Sequence, residues 1–218
     1  MQIYTPPPYE NPEILYQDEC LIAVNKPAGL LSVPGRGEDK QDCLVTRVQQ
    51  AFPTARIVHR LDMATSGIML LALDCETHRL LSGLFEHRKV EKTYIAVVEG
   101  LVKNSRGEID APLICDWPNR PRQKVDFEKG KPSTTLYNCI SQDKQKLTSR
   151  IQFKPITGRS HQLRVHAQYI GHSILGDTLY SSGQSCWQAS RLLLHASEIS
   201  FEHPVDKQSL SIHCEPAF

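Results

Sequence analysis

The sequence lacks the patterns of several large classes of protein. No stretch approaches the roughly 18 consecutive apolar residues of a membrane span, and the opening residues MQIYTPPPYENP contain neither the basic nor the apolar segment of a secretory signal. The seven cysteines are odd in number, widely spaced and without a C-x-x-C pair, so neither a disulfide framework nor a thiolate zinc site is indicated. We therefore expect a cytoplasmic globular protein with reduced cysteines.

Motifs for phosphate binding, serine catalysis and zinc binding are also missing. The GRG at 35–37 lacks the lysine and the spacing of a P-loop, and neither Ser66 nor Ser160 lies in a G-x-S-x-G motif. His161 and His166 are five residues apart, whereas the two histidines of a zinc-binding helix are four apart. The sequence therefore predicts no metal site.

The chain carries little net charge, +1 over 218 residues, which argues against a histone-like nucleic-acid binder. Two local basic clusters nevertheless occur. The first contains Arg120, Arg122, Lys124, Lys129 and Lys131, and the second contains His87, Arg88, Lys89 and Lys92. Such clusters are either ordinary solvated surface or a contact surface for a phosphate-bearing partner.

Short runs with strand-like patterns, punctuated by proline or glycine, dominate the chain. They lie at 13–16, 20–27, 29–35, 67–73, 90–100, 123–127, 133–140, 147–154, 196–201 and 208–213. Helices are interspersed without strict β-α-β alternation. This organisation predicts an α+β fold with a mixed, largely antiparallel sheet flanked by helices. We expect one domain over 14–218, preceded by a loose arm over 1–13.

Three helices are expected. Asp42 is placed to cap a short first helix, and Asp74 is placed to cap a second one. The third begins near Gly158. On that helix the spacing puts His161 and Arg164 on a polar face, opposite an apolar stripe, so that the helix offers a fixed cation.

One carboxylate stands where a functional group is common. In HRLDMATSG, residues 59–67, Asp62 lies in a loop that turns directly into the apolar run IMLLAL. A guanidinium beside it would keep Asp62 ionised in a partly dry pocket, as a nucleophilic or basic aspartate requires. Tyr94, in the strand EKTYIAVVEG, offers a ring able to stack on a base.

Each of these residues also has an ordinary structural interpretation. Asp62 could cap the TSG turn, Tyr94 could be a packed strand residue, and Arg164 could pair with any surface carboxylate. The residues alone indicate an aspartate-centred site in basic surroundings and leave these alternatives open.

Several ordered blocks together carry a resemblance to a known family. HRLDMATSG resembles the catalytic motif of the pseudouridine synthases of the RluA type. VNKPAGLLSVPG, EKTYIAVVEG, KPITGRSHQLRVHA, HSILGD and RLLLHA resemble its companion blocks in the same order, from about Ile14 to the C-terminus. Residues 141–149 and 181–189 match the family only loosely, which leaves substrate preference open.

The resemblance implies a pseudouridine synthase catalytic domain over 14–218 that isomerises uridine in RNA. Asp62 would be the essential catalytic residue, either as a nucleophile or as the base that removes the 2′ proton. Arg164 would be its ion-pair partner, and Tyr94 would stack on the uracil. This reaction needs no cofactor, because atoms are neither gained nor lost.

The resemblance also implies RNA contacts. PLICDWPNRPRQKV and DMATSG resemble most one compact member of the family, which acts on both 23S rRNA and the anticodon loop of tRNA, so we expect these two partners. Because few residues precede the first strand, we expect the chain to bind RNA without an S4 domain. Arg60 is the candidate to fill the space that a flipped uridine leaves. The other candidate contacts are His59, Lys92, Arg120, Arg122, Lys124, Arg159, His161 and Gln162.

Two other functions fit the same residues: an RNA-binding or remodelling protein without catalysis, and an aspartate-dependent N-glycosidase that releases uracil. An ionised aspartate facing a polyanion disfavours the first of these. The chain has no long exposed apolar stripe, so we expect a monomer.

Overall fold

The computed structural model describes residues 4–181 and 186–218, so part of the predicted arm (1–3) and part of the loop 181–189 lie outside the described residues. Twelve strands and three α-helices are defined within the described ranges. They are β1 (Glu13–Gln17), β2 (Leu21–Lys26), α1 (Leu44–Gln49), β3 (Arg56–Ile57), β4 (Ser66–Ala72), α2 (Cys75–Glu86), β5 (Glu91–Glu99), β6 (Arg106–Asp110), β7 (Leu113–Cys115), β8 (Gln123–Val125), β9 (Thr134–Asp143), β10 (Thr148–Pro155), α3 (Gln162–Tyr169), β11 (Leu194–Glu202) and β12 (Ser209–His213). The predicted α+β class is confirmed.

The chain divides into two compact units. The first runs to Lys92 and includes Ala196–Ala217, and the second comprises Thr93–His195 and Phe218. Among the described residues, no helix has the length and apolar character needed to cross a bilayer.

The first unit is built on two largely apolar, buried strands, β2 and β4. β2 pairs antiparallel with both β1 and β4. On the other side of β4 the next strand of the sheet is β11, which also pairs antiparallel with β12. All seven residues of β4 are buried, as its continuous apolar run predicts. α2 packs Leu81, Leu84 and Phe85 into the same core. The core therefore fixes the strand into which the HRLDMATSG loop leads.

The helix caps of this unit are partly as predicted. Asp74 caps α2, because its side chain accepts a hydrogen bond from the Thr77 amide at 2.8 Å. Asp42 does not cap α1; Cys43 occupies that position. Asp42 instead accepts from Nε and Nη2 of the buried Arg47, both at 2.8 Å, and this bidentate ion pair takes up its carboxylate.

Arg47 also holds the part of the predicted loose arm that the structure describes. Its Nη atoms donate to the carbonyls of Pro7 and Pro8 at 2.8 and 3.1 Å, and its guanidinium lies 5.2 Å from the centre of the Tyr9 ring. The Tyr4 hydroxyl donates to the carbonyl of Asp42. Residues 4–9 are therefore tied to the beginning of α1.

The strand predicted at 29–35 is wrong: this segment is a loop. Its backbone groups bond to other loops and to the first turn of α1 rather than to a sheet. Leu31 and Ser32 carbonyls accept from the amides of Leu44 and Val45. Gly29, with φ of +87°, turns the chain away from the extended conformation.

The second unit contains the antiparallel order β5-β10-β9-β6 and the separate hairpin β7-β8. β6 and β7 were not predicted from the sequence. α3 lies against the hairpin, where Val165 packs with Leu113 and Tyr180. The hairpin is therefore anchored at its base by a small apolar cluster.

α3 differs from its prediction in two ways. It begins at Gln162 and not near Gly158, because His161 has a left-handed backbone with φ of +56°. The predicted polar face is also wrong, since the run from Gln162 to Ala167 is buried on every side, Arg164 included. The cation that this helix carries is therefore an interior one.

Candidate active site

Asp62 lies half-buried in the loop that leads into β4. Its carbonyl accepts a hydrogen bond from the Thr65 amide at 3.1 Å, which closes the turn between the loop and the strand. Asp62 lies four residues before Ser66, the first residue of the buried strand β4. This is the junction at which the sequence predicts the carboxylate.

The backbone on both sides of Asp62 is pinned by the segment 26–32. The Ser32 hydroxyl donates to the carbonyl of Leu61 at 2.7 Å and accepts from the Leu61 amide at 3.2 Å. The Gly29 amide donates to the carbonyl of Met63 at 2.8 Å. Because the residue before Asp62 and the residue after it are both held, the position of its Cα is fixed.

Lys26 also bonds to the loop that carries Asp62, from the interior of the unit. Its side chain is fully buried, and its ammonium donates to the carbonyls of Pro27 (2.9 Å), Leu30 (2.8 Å) and Met63 (3.1 Å). Burial lowers the pKa of Lys26 to about 7, and the negative charge of Asp62 opposes that shift. The ammonium and the Asp62 carboxylate therefore act on one another electrostatically.

The role of Lys26 is not among those predicted from the sequence. A signal was present, because a lysine ends the apolar strand LIAVN immediately before Pro-Ala-Gly, where turn carbonyls are available as partners. Its third partner, Met63, is 37 residues away in the chain, and no local pattern indicates that contact.

His59 supports the same strand. Its Nε2 accepts a hydrogen bond from the Leu70 amide at 2.9 Å, and its ring stacks on Phe85 with centroids 4.5 Å apart. Burial, helped by the positive charge of Lys92, lowers the pKa of His59 to about 3, so its imidazole is neutral at physiological pH. Burial also lowers the pKa of Lys92. Arg60, by contrast, is exposed.

Tyr94 and Arg164 belong to the second unit, whereas Asp62 belongs to the first. Tyr94 is half-buried on β5, in register with Phe153 on β10. Arg164 is only 4% exposed and forms a bidentate pair with Asp177, from Nε to Oδ2 and from Nη2 to Oδ1, both at 2.7 Å.

Asp177, the last residue of HSILGD, was not predicted as a site residue from the sequence. Its fully buried carboxylate accepts from the amides of Leu179 and Tyr180 as well as from Arg164. Thirteen residues separate the two partners, and only the fold brings them together. Asp177 thus fixes both the guanidinium of Arg164 and the turn that carries Tyr180.

Tyr180 contacts three of the predicted site residues, His161, Arg164 and Arg122. Its hydroxyl lies 2.6 Å from Nδ1 of His161, and the guanidinium carbons of Arg164 and Arg122 lie 5.1 and 5.6 Å from its ring centre. Its hydroxyl also accepts from the Gln123 amide at 2.7 Å. Tyr180 therefore links α3 to the β7-β8 hairpin.

The remaining predicted residues divide by exposure. Arg120 and Lys124 are exposed on the hairpin, and Arg159 is exposed in the loop before α3. Gln162 is buried, and its amide bonds to Thr135 and Thr157 inside the unit. Arg120, Lys124 and Arg159 are therefore accessible to a polyanion. Gln162 instead joins α3 to Thr135 and Thr157 by hydrogen bonds.

Comparisons with known proteins agree with one another. A family model described as RNA pseudouridylate synthase matches residues 20–169. The dual-specificity RNA pseudouridine synthase RluA of Yersinia pestis is 51% identical over 205 residues, covering 94% of this chain and 99% of that protein. The protein of the same name from Escherichia coli strain K12 is 48% identical over 218 residues, covering 100% and 99%. The solved structure of human RNA pseudouridylate synthase domain containing 1 superposes with a TM-score of 0.82 at 28% identity, covering 98% of this chain and 87% of that one.

Proposed function

Because the chain belongs to the RNA pseudouridylate synthase family, we propose that it isomerises specific uridines to pseudouridine in 23S rRNA and in the anticodon loop of tRNA. The enzyme is an isomerase of RNA. The choice of two RNA substrates is supported by similarity over the full chain to relatives named dual-specificity synthases. We also propose that residues 14–218 form the catalytic domain and that the enzyme acts as a monomer in the cytoplasm without a cofactor.

The observation that carries the proposal is the fixed Asp62 loop. Hydrogen bonds hold the residue before Asp62 and the residue after it, and the buried ammonium of Lys26 lies near enough to act on its charge. A carboxylate whose backbone cannot shift can meet a reacting atom without reorganising at the moment of reaction. A carboxylate that merely capped a turn would need none of this support.

In the proposed reaction the N1 to C1′ bond of uridine breaks and a C5 to C1′ bond forms. N1 gains a proton and C5 loses one, so the composition of the RNA does not change. Asp62 either attacks the substrate as a nucleophile or removes the 2′ proton as a base. Tyr94 supplies the aromatic ring for the uracil and assists removal of the C5 proton. The pairing of Arg164 with Asp62 stays a prediction.

The target uridine must leave its stack before the glycosidic bond can be reached, at a cost of a few kcal/mol that is smaller in a loop than in a duplex. Arg60 is proposed to enter the vacated space, which agrees with its exposure. Arg120, Lys124 and Arg159 are proposed to hold phosphates.

The test uses transcripts of tRNA and of a 23S rRNA fragment that carry tritium at C5 of uracil. We expect wild-type protein to release tritium from both RNAs and to produce an equal amount of pseudouridine, detected by chemical mapping. Free uracil in place of pseudouridine would indicate the N-glycosidase. Tight binding without release would indicate a binding protein, and release from one RNA alone would overturn the dual specificity.

A further inference from the structure

The β7-β8 hairpin of the second unit exposes aromatic side chains next to basic ones. Trp117 and Phe127 are 65% and 67% exposed, and Tyr169 at the end of α3 is 52% exposed. Large aromatic side chains are usually buried in whole or in part because they carry much apolar surface. Three of them exposed on one hairpin and the adjoining helix end require an explanation.

The basic residues are interleaved with these rings. The guanidinium of Arg120 lies 4.5 Å from the centre of the Trp117 ring. Arg122, Lys124, Tyr169 and the Tyr180 ring line a groove of about 360 Å³ in the same region. Asp116 is the acidic residue in the lining, and its carboxylate accepts a hydrogen bond from Asn119.

The loop that carries Trp117 is held in one conformation by its own backbone. The Asp116 amide donates to the carbonyl of Arg122, the Arg122 amide donates to that of Asn119, and the Asn119 amide donates to that of Asp116. Beyond the end of β8, Phe127 lies against Tyr169 of α3, with ring centroids 6.4 Å apart at 55°. These rings are therefore positioned before any partner binds, which lowers the entropic cost of binding.

We propose that the hairpin surface formed by Trp117, Arg120, Arg122, Lys124, Phe127 and Tyr169 binds a single-stranded segment of the substrate RNA outside the reacting nucleotide. Arg122 and Lys124 contact phosphates, and Trp117 and Phe127 stack on unpaired bases. Alternating cations and aromatic rings are how proteins hold single-stranded nucleic acid without reading its sequence. Because such stacking tolerates every base, this surface accepts loops from two different RNAs. This inference rests on the proposed function and names the surface that holds the substrate.

The chain offers a direct test because it contains two tryptophans, Trp117 and Trp187. Trp187→Phe leaves Trp117 as the sole tryptophan, and its emission is titrated with a nine-nucleotide oligouridylate and with inorganic polyphosphate of equal charge. We expect saturable quenching by the oligouridylate and little by the polyphosphate, because only the former brings bases to the ring. Unchanged emission while binding is seen by filter retention, or equal quenching by both polyanions, would overturn the stacking contact.

Steady-state kinetics on the tRNA transcript provide the second readout. Trp117→Ala should raise KM roughly 5- to 140-fold, the range expected for loss of one stacked base, with kcat changed less than about twofold. Trp117→Phe keeps a ring and should restore most of the affinity. Val205→Ala, which shortens a 61% exposed apolar side chain in the first unit, is the control and should leave both constants unchanged.

A fall in kcat with unchanged KM for Trp117→Ala would contradict the proposal. If wild-type protein forms no pseudouridine in either RNA, the proposed function fails while the fluorescence titration still reports on the surface. The two inferences can therefore fail separately.

Discussion

At the scale of single residues, the most informative side chain is Lys26. A buried ammonium is costly unless its donors are satisfied, and here three carbonyls satisfy them. One of these carbonyls belongs to Met63, next to Asp62. The buried ammonium of Lys26 is therefore bonded to the loop that carries Asp62.

Replacing Lys26 with methionine tests that role. Lys26→Met keeps most of the volume but removes the donors to the loop, and we expect kcat to fall about 10- to 100-fold, as misplacement of a catalytic group by about 1 Å can do. RNA affinity should stay within about twofold. Single-turnover tritium release and filter binding measure the two quantities.

The exposed Lys103→Met carries the same chemical change and should leave kcat at the wild-type value. A folded Lys26→Met protein with wild-type kcat would show that Gly29 and Ser32 hold the Asp62 loop without the ammonium.

At the same scale, the sequence indicated the carboxylate but not the groups that support it. Asp62 was recognisable because its motif is contiguous. Lys26 and Asp177 act through contacts to residues 37 and 13 positions away, which periodicity does not indicate. The sequence indicated that Arg164 supplies a cation but not that it is buried. In a short helix covered on all sides, polar residues are buried as well, so the pattern of polar and apolar residues does not indicate which of them are exposed.

At the scale of elements, strands were predictable where apolar residues run or alternate, as in β2, β4, β9 and β10. The segment 29–35 also contains apolar residues in succession and yet forms a loop, because its hydrogen-bond partners are the Asp62 loop and α1. The local pattern of apolar residues predicts an extended backbone. Whether that backbone pairs with a neighbouring strand depends on the residues that the fold brings beside it.

Gly67 shows how closely two elements approach. It lies in β4 with φ of +115°, and an added Cβ would collide with the backbone carbonyl and amide of Ala196 on β11. Gly67→Ala should therefore lower the free energy of unfolding by roughly 2–5 kcal/mol, from backbone strain and overpacking together. Urea denaturation followed by circular dichroism measures this change.

Gly83→Ala is the matched control. Gly83 lies in α2 with open space around the new methyl group, so this substitution should raise the free energy of unfolding by about 0.5–1 kcal/mol. Effects of the same sign for the two variants would contradict the close approach of β4 to Ala196.

At the scale of the whole molecule, acid should weaken the fold through His59. The pKa of His59 is about 3 in the folded state and 6.5 in the unfolded chain. Between these values the unfolded chain binds a proton that the folded one does not, so stability is fully present above pH 6.5 and is lost as the pH falls towards 3.

His59→Phe should remove this part of the pH dependence. The variant keeps a ring to stack on Phe85 but loses the acceptor for the Leu70 amide. It should therefore be less stable than wild type at pH 7, and its free energy of unfolding should fall less between pH 6.5 and 4.5. Parallel slopes for the two proteins over that interval would show that the imidazole is not kept neutral by the fold.

On the proposed mechanism, the isomerisation depends on the carboxylate of Asp62, which the surrounding loops hold in place. The most direct measurement is single-turnover tritium release from C5-labelled tRNA by Asp62→Asn, a substitution that keeps the shape of the side chain and removes its charge. We expect a loss of at least about a thousandfold in rate, with RNA binding retained and Asp110→Asn behaving as wild type. Release by Asp62→Asn at a rate near that of wild type would show that the Asp62 carboxylate is not required for the isomerisation.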